Sequence, residues 1–354
     1  MRRLPIFFVI DVSESMAPHL QKVDNGLKTI TGELSTDPYA LETAFISTVV
    51  FAGQARVLHK LTEVYALTIP ALPLGGGTDY GRAMDCLMDE IDRNVVKSTR
   101  DQKGDWKPII FFFTDGNPTS DSYKKAFSRW NRDYRGKANI IAFSLGAKID
   151  YSILGQITEQ IYLLDNMDSD TVKSFFKWVS ASIQTNSVAV GDNQELSDEK
   201  MMPDATSIEG LHKIDLRKGP RADLSKGIEN DNLKVIIGKC GTVKRRYIIL
   251  YEKDGSGYRE LSTYKIPDEE MYDALTASGS GADFDIDKVT STGGVCPYCG
   301  TNFILNKCSC GKIFCSRDIA RELQTRGQAE LTCPWCNNTG IYGYGSFRVG
   351  TGLG

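Results

Sequence analysis

An unbroken apolar run, Ile6-Phe7-Phe8-Val9-Ile10, gives way within one residue to a polar one, Asp11-Val12-Ser13-Glu14-Ser15. Five consecutive apolar residues leave no polar face, so the run reads as a strand covered on both sides. Working outward, Leu20, Val23, Leu27, Ile30 and Leu34 recur in steps of three and four, one stripe of a helix. Ala44 to Phe51 reads as a second strand and Arg56 to Lys60 as an edge strand. Met84, Leu87, Met88 and Ile91 mark another helix. Ile109 to Phe113, Ile140 to Leu145 and Ile161 to Leu164 are further strands, and Val172, Phe175, Phe176, Val179 and Ile183 form a last amphipathic helix. Strands alternating with helices predict a doubly wound α/β domain over 1–188 with a mostly parallel sheet.

The pattern then changes. Residues 189–227 are rich in Asp, Glu, Lys and Ser without a period, and read as a linker. Leu233 to Ile237, Tyr247 to Tyr251 and Tyr258 to Ile266 are strand-like, with Asp254-Gly255-Ser256-Gly257 a hairpin turn between the last two. They predict a small β-rich module over 228–287. A Cys-rich module follows over 288–340, then a Gly-rich tail over 341–354.

The 354 residues are 25% charged and 41% hydrophobic, ordinary for a globular chain. Forty-two basic residues against 45 acidic give a net charge of −3. That balance argues against a protein held on nucleic acid by bulk charge. No stretch is long and apolar enough to cross a bilayer, and the run after Met1-Arg2-Arg3 is too short for a secretory leader. Seven of the nine cysteines fall between Cys296 and Cys336, a crowding expected of thiolates sharing a metal in a reducing cytoplasm.

Three polar fragments interrupt the α/β pattern: Asp11-Val12-Ser13-Glu14-Ser15, Gly75-Gly76-Gly77-Thr78-Asp79 and Thr114-Asp115-Gly116-Asn117-Pro118-Thr119. Asp11, Ser13, Ser15, Thr78 and Asp115 together are an all-oxygen donor set, which suits Mg²⁺ or Mn²⁺. Two carboxylates balance the charge of a divalent ion, and a partner's Asp or Glu carboxylate can complete its shell. Gly75-Gly76-Gly77 lacks the Gly-Lys-Ser/Thr ending of a nucleotide-phosphate loop. The flanking Glu14 and Asp79 read as solvated loop carboxylates. Only His19, His59 and His212 offer imidazole bases, and they are scattered, so catalysis is disfavoured.

The cysteine spacing is Cys296-x2-Cys299-x8-Cys308-x-Cys310-x4-Cys315-x2-Asp318-x14-Cys333-x2-Cys336. Closed thiolate sets of this kind hold Zn²⁺. One zinc ribbon needs only Cys296, Cys299, Cys333 and Cys336. With Asp318 as an eighth ligand, two ions fit: Cys296, Cys299, Cys315 and Asp318 for one, and Cys308, Cys310, Cys333 and Cys336 for the other. Cys86 and Cys240 stand alone and read as apolar fillers. A module this small requires its metal to fold. Phe303, Phe314 and Trp335 read as its small core. The spacing also leaves open a RING-like component of an enzyme complex and a nucleic-acid-binding zinc ribbon, the latter weakened by the charge balance.

The five oxygen donors resemble the metal-ion-dependent adhesion site of von Willebrand factor A domains. That resemblance implies direct ligation by Ser13, Ser15 and Thr78, with Asp11 and Asp115 acting partly through water. The A domain followed by Cys-Pro-x-Cys-Gly and Cys-Pro-Trp-Cys resembles the TerY-like proteins of bacteria. What this implies is a non-enzymatic cytoplasmic adaptor of tellurium-resistance and stress-response systems. Its expected partners are a Ser/Thr kinase and a metal-dependent protein phosphatase. Ser197, Thr206 and Ser207 are then candidate phosphorylation targets.

Overall fold

The computed structural model describes residues 2–146, 149–192, 194, 201–216, 232–277, 283–285, 289–291, 294–301, 305–317, 319–343 and 348–351. They fall into two units: Met1–Leu72 with Thr78–Asn230, and Pro73–Gly77 with Asp231–Gly354.

In the first unit the apolar runs become strands: β1 (Leu4–Asp11), β2 (Ala44–Phe51), β3 (Ala55–Glu63), β4 (Ile109–Thr114), β5 (Asn139–Leu145), β6 (Ile161–Leu164) and β7 (Leu211–Lys213). The helices are α1 (Leu20–Leu34), α2 (Pro38–Thr43), α3 (Tyr80–Asn94), α4 (Tyr123–Asp133), α5 (Tyr151–Leu154) and α6 (Ser169–Gly191). The sheet order is β3-β2-β1-β4-β5-β6-β7. β1, β2, β4, β5 and β6 run parallel, while β3 and β7 are antiparallel to their neighbours.

Both faces are covered, as a run apolar on both sides requires. Phe7, Val9, Phe51 and Phe112 pack with α3 and α4 residues such as Met84, Leu87, Phe127 and Trp130. On the opposite face Phe113 and Phe143 meet Phe175 of α6 with ring centroids 6.2 and 5.0 Å apart. α1 lies against α6 so closely that a Cβ on Gly26 would come within 2.1 Å of the Phe176 ring. No other residue fits there.

The expected linker over 189–227 needs correction. α6 continues to Gly191, and β7 lies inside the supposed linker and completes the sheet edge, with His212 Nε2 2.9 Å from Asp165 Oδ2. Three residues are too few to show a period, so this strand left no trace in the sequence pattern. Thr206 lies in a short turn that Asp204 caps. Ser197 lies outside the described residues.

The second unit holds β8 (Leu233–Cys240), β9 (Arg246–Asp254), β10 (Gly257–Lys265), α7 (Glu269–Leu275), β11 (Asp283–Asp285), β12 (Val289–Ser291), β13 (Leu305–Lys307), β14 (Ile313–Cys315), α8 (Ile319–Arg326), β15 (Gln328–Thr332), β16 (Thr339–Gly343) and β17 (Arg348–Gly350). One sheet in the order β12-β10-β9-β8-β14-β13 contains strands from both modules expected at 228–287 and 288–340. The two expectations merge because β14, inside the cysteine-rich segment, pairs in parallel with β8. The predicted hairpin turn joins β9 and β10, with Gly255 at φ 59°. Two residues after the end of α7, the Ala277 amide donates to the Gly76 carbonyl, and the Gly76 amide donates to Thr276 Oγ1.

Candidate functional site: a buried oxygen cluster and two thiolate clusters

β1 lies between β2 and β4, so the strand order reverses at β1, and the β1–β4 border is where an open α/β sheet leaves a crevice at its carboxyl edge. Asp11 is the last residue of β1, and Asp115 follows the last residue of β4. Their parallel pairing sets both carboxylates at one edge of the sheet.

Hydrogen bonds then join the loops. Ser15 Oγ donates to Asp115 Oδ1 at 2.9 Å, and Ser13 Oγ lies 3.0 Å from Ser15 Oγ. The Ser13 amide donates to Asp11 Oδ1 at 2.9 Å. Thr114 Oγ1 donates to Asp11 Oδ2 at 2.7 Å. Thr78 enters through its backbone: its carbonyl accepts from the Thr119 amide at 2.7 Å and from Thr119 Oγ1 at 3.0 Å. Gly77, at φ 86°, makes the turn that delivers Thr78, a conformation open to glycine without strain.

All five residues are buried, with Asp11 and Ser13 at 0% exposure and Asp115 at 4%. Burial pushes the Asp11 carboxyl up to about 6. Burial, then the nearby Asp11 charge, pushes Asp115 well above the usual carboxylate range. Two carboxylates whose charged forms burial disfavours, with Asp11 adding to the cost at Asp115, are a site where a divalent cation relieves both costs at once. The hard oxygen donors fit such an ion.

Three residues of this site were not singled out from sequence. Thr114 orients Asp11. The Tyr80 hydroxyl donates to the Gly116 carbonyl and lies 3.2 Å from Thr114 Oγ1. Thr119 ties the Thr78 and Asp115 loops together. Asn117 has a role of its own, since its Oδ1 accepts from the Asp150 amide at 2.7 Å. Glu14, expected in solvent, is instead 0% exposed in the short turn after Ser13. Asp79 caps α3 by accepting from the Arg82 amide at 2.9 Å, and its Oδ2 accepts from Ser120 Oγ at 3.1 Å. His19 sits at the N-cap of α1, and burial lowers its pKa to about 4.

The second unit gathers its thiols into two sets, in each of which the sulfurs lie within 4.8 Å of one another: Cys240, Cys296, Cys299 and Cys315, and Cys308, Cys310, Cys333 and Cys336. The second set is the one expected. The first corrects the sequence reading of Cys240 as an apolar filler, because Cys240 stands with Cys296, Cys299 and Cys315 and makes up four thiols. Asp318 and Phe303 lie outside the described residues. The single-ribbon alternative also falls, since Cys296 and Cys299 belong to one set and Cys333 and Cys336 to the other.

Cys240 and Cys315 are register partners in β8 and β14, which turns both thiols to one face. The backbone repeats one turn around three of the cysteines. The amides of Lys244, Gly300 and Asn337 donate to the carbonyls of Cys240, Cys296 and Cys333, and the amides of those cysteines donate to the carbonyls of Arg245, Thr301 and Asn338. Lys244 (φ 63°), Gly300 (φ 70°) and Asn337 (φ 61°) all take the left-handed conformation at the same offset. Cys240 thus sits in a knuckle whose second cysteine position is Val243, and the Val243 amide still donates to Cys240 Sγ at 3.3 Å. Without a second cysteine the knuckle had no sequence signature.

Four sulfurs around zinc at about 2.3 Å stand about 3.8 Å apart. The pairs Cys299–Cys315, Cys308–Cys336 and Cys310–Cys333 lie at 3.7, 3.5 and 3.9 Å. A hydrogen bond from Cys315, aided by amides of Cys299 and Tyr298, lowers the Cys296 thiol to about 5. The Cys310 amide does the same for Cys308, to about 6. One thiol of each set is thus favoured as thiolate, while burial raises Cys240, Cys310 and Cys333, and a hydrogen bond to Cys296 with burial raises Cys315, so those protons leave when a metal binds. Phe314 is buried, and the half-buried Trp335 donates its indole N–H to the Ile313 carbonyl at 2.7 Å, so both serve the core. Cys86 packs partly buried against the first unit's core.

The sheet and its carboxyl-edge cluster define a von Willebrand factor type A domain, and residues 6–117 match that family. Residues 230–354 match the TerY-C metal binding domain, and the two together give the chain the TerY-like architecture. Among solved structures, the chain is similar to the pilus adhesin SpaC from Lactobacillus rhamnosus GG (12% identity, TM-score 0.43, covering 52% of this chain and 31% of that one). It is also similar to a von Willebrand factor type A protein from Catenulispora acidiphila (15% identity, TM-score 0.39, 77% and 68%). A third is proximal thread matrix protein 1 from the mussel byssus, whose MIDAS motif holds zinc in that crystal (20% identity, TM-score 0.36, 51% and 46%). The chain spans about a third of the adhesin's length and about half of the thread protein's. No curated protein matches significantly. Among the described residues, no helix is long and apolar enough to cross a membrane.

Proposed function

We propose that this chain is a non-enzymatic scaffold that docks a protein partner through Mg²⁺ or Mn²⁺ held by Asp11, Ser13, Ser15, Thr78 and Asp115. The observation that carries the reading is the Ser15–Asp115 hydrogen bond, which closes two loops over two fully buried carboxylates. Those carboxylates neutralise the ion without overwhelming it, so an Asp or Glu of the partner can take an open position on the metal. The polar contacts of the cluster come from hydroxyls, carboxylates and backbone groups, with no imidazole or amine among those described to serve as a base.

The two thiolate sets hold one Zn²⁺ each and hold the second unit folded. Four sulfurs saturate each ion and leave no position for substrate, which supports a structural role. In the basic run Lys244-Arg245-Arg246 the two arginines pair internally, Arg245 with Glu269 at 3.2 Å and Arg246 with Glu269 and Asp273 at 2.9 and 2.6 Å. That disfavours the nucleic-acid ribbon. A place in a cytoplasmic tellurium-resistance or stress-response system, with a Ser/Thr kinase and a metal-dependent phosphatase as partners, follows from the TerY-like resemblance and belongs to this proposal.

Affinity capture with wild type and Asp11→Ala in Mg²⁺, read by mass spectrometry, tests the reading. Partners held by wild type in Mg²⁺, and released by omitting the ion or by the substitution, support it. An unchanged set of captured proteins overturns it.

A further inference from the structure

The two thiolate sets differ in how they meet solvent. Cys240 and Cys315 are 0% exposed and Cys296 1%, and the half-buried Cys299 completes the set. Two of these four are locked by the β8–β14 pairing in the interior of the six-stranded sheet. In the other set Cys308 and Cys333 are buried and Cys336 half-buried, but Cys310 is exposed. Cys310 sits in the tight turn between β13 and β14, where Gly311, at φ 83°, donates its amide to the Cys308 carbonyl. Its sulfur lies 3.9 Å from that of Cys333. An exposed metal thiolate beside a second thiolate meets both requirements for reversible oxidation, access for the oxidant and a resolving partner.

From this contrast we infer that Cys310 is a modification site for hydroperoxides. The Cys308, Cys310, Cys333 and Cys336 set then releases its zinc on oxidation, while the Cys240 set keeps its own. The inference rests on the two-zinc reading above. The Cys310 thiolate attacks one oxygen of the peroxide, the O–O bond breaks, and hydroxide leaves, giving a sulfenic acid. The Cys333 thiolate attacks the Cys310 sulfur and expels a second hydroxide as the Cys310–Cys333 bond forms. Two thiolates lose one electron each and one peroxide gains both. Cys308 and Cys336 are too few to hold the ion, which leaves as Zn²⁺. A dithiol reductant with added zinc reverses the sequence.

The test uses the full chain, reduced and shown by elemental analysis to carry two zinc ions. Hydrogen peroxide is added, released zinc is followed with a metallochromic indicator, and the oxidised cysteines are mapped by peptide mass spectrometry. One equivalent is expected to leave on the order of tenfold faster than the other. The first product is expected to be the Cys310–Cys333 disulfide. Simultaneous loss of both ions, first oxidation among Cys240, Cys296, Cys299 and Cys315, or a Cys308–Cys336 linkage as first product overturns the inference. Fewer than two zinc ions before peroxide is added overturns the two-site reading instead, which keeps the two failures distinct.

Discussion

Replacing Cys240 with serine removes one of four sulfurs from a site that has no cysteine to spare. The other three, Cys296, Cys299 and Cys315, remain in place and leave an open position. Apparent binding free energies for structural zinc run about 10–16 kcal/mol, so one ligand in four accounts for roughly 2.5–4 kcal/mol, or a loss of about 10²–10³-fold in affinity. Cys240 also lies in the core among Ile236, Tyr247, Ile249 and Ile313, where a hydroxyl replaces a sulfur in an apolar setting. Zinc competition with a chromophoric chelator gives the readout. Wild type should surrender two equivalents at high chelator, whereas the variant should surrender one of them at about 10²–10³-fold lower chelator strength. Cys86→Ser, which alters the first unit, should titrate like wild type. Asp318→Ala should also keep both ions, because Cys240 fills the position that sequence spacing offered to Asp318. A Cys240→Ser chain that holds two zinc ions with wild-type resistance refutes the assignment.

Other consequences concern the oxygen cluster. Asp11 in the folded, metal-free chain is held near 6, above its ordinary value of 3.8. The folded state therefore binds more protons than the unfolded one in that window, and stability falls as pH rises from about 4 to about 6. In Mg²⁺-free buffer, thermal melts of wild type should show this fall, with a share from Asp11 on the order of 3 kcal/mol at full titration, and Asp11→Asn should remove that share while the part due to buried Asp115 remains. Tyr80→Phe keeps the ring against Phe51 and Phe112 but removes the bond to the Gly116 carbonyl. It should weaken Mg²⁺ binding by up to about tenfold, read by titration calorimetry, with secondary structure unchanged. Asp115→Ala should leave the circular dichroism spectrum of the chain intact and abolish metal-dependent partner capture. Any capture that survives both the substitution and EDTA contradicts the docking mechanism.

Most of the first unit was readable because burial on both faces leaves long apolar runs, as in Ile6–Ile10 and Ile109–Phe113, and because α1 and α6 keep one apolar stripe each. α2, α5 and β7 were not readable; with six, four and three residues they are too short for a period to repeat. The oxygen donors could be named from sequence since each sits beside a strand end or a glycine turn. Thr114, Thr119 and Tyr80 could not, because their partners are 34 to 103 residues away along the chain. The zinc sets divide the same way. Paired cysteines announce a knuckle, while Cys240 has Val243 where Cys296 and Cys333 have a second cysteine. The left-handed Lys244, a backbone feature that a lysine side chain conceals, is what marks it.

The account stands most directly on the binding of one divalent cation by the five buried oxygen-bearing residues. Electron paramagnetic resonance titration of Mn²⁺ into the zinc-loaded chain, desalted free of Mg²⁺, measures it. One bound ion that Mg²⁺ displaces, and that is lost in Asp115→Ala, is the predicted result. Equal Mn²⁺ binding by wild type and Asp115→Ala, or none by either, contradicts it.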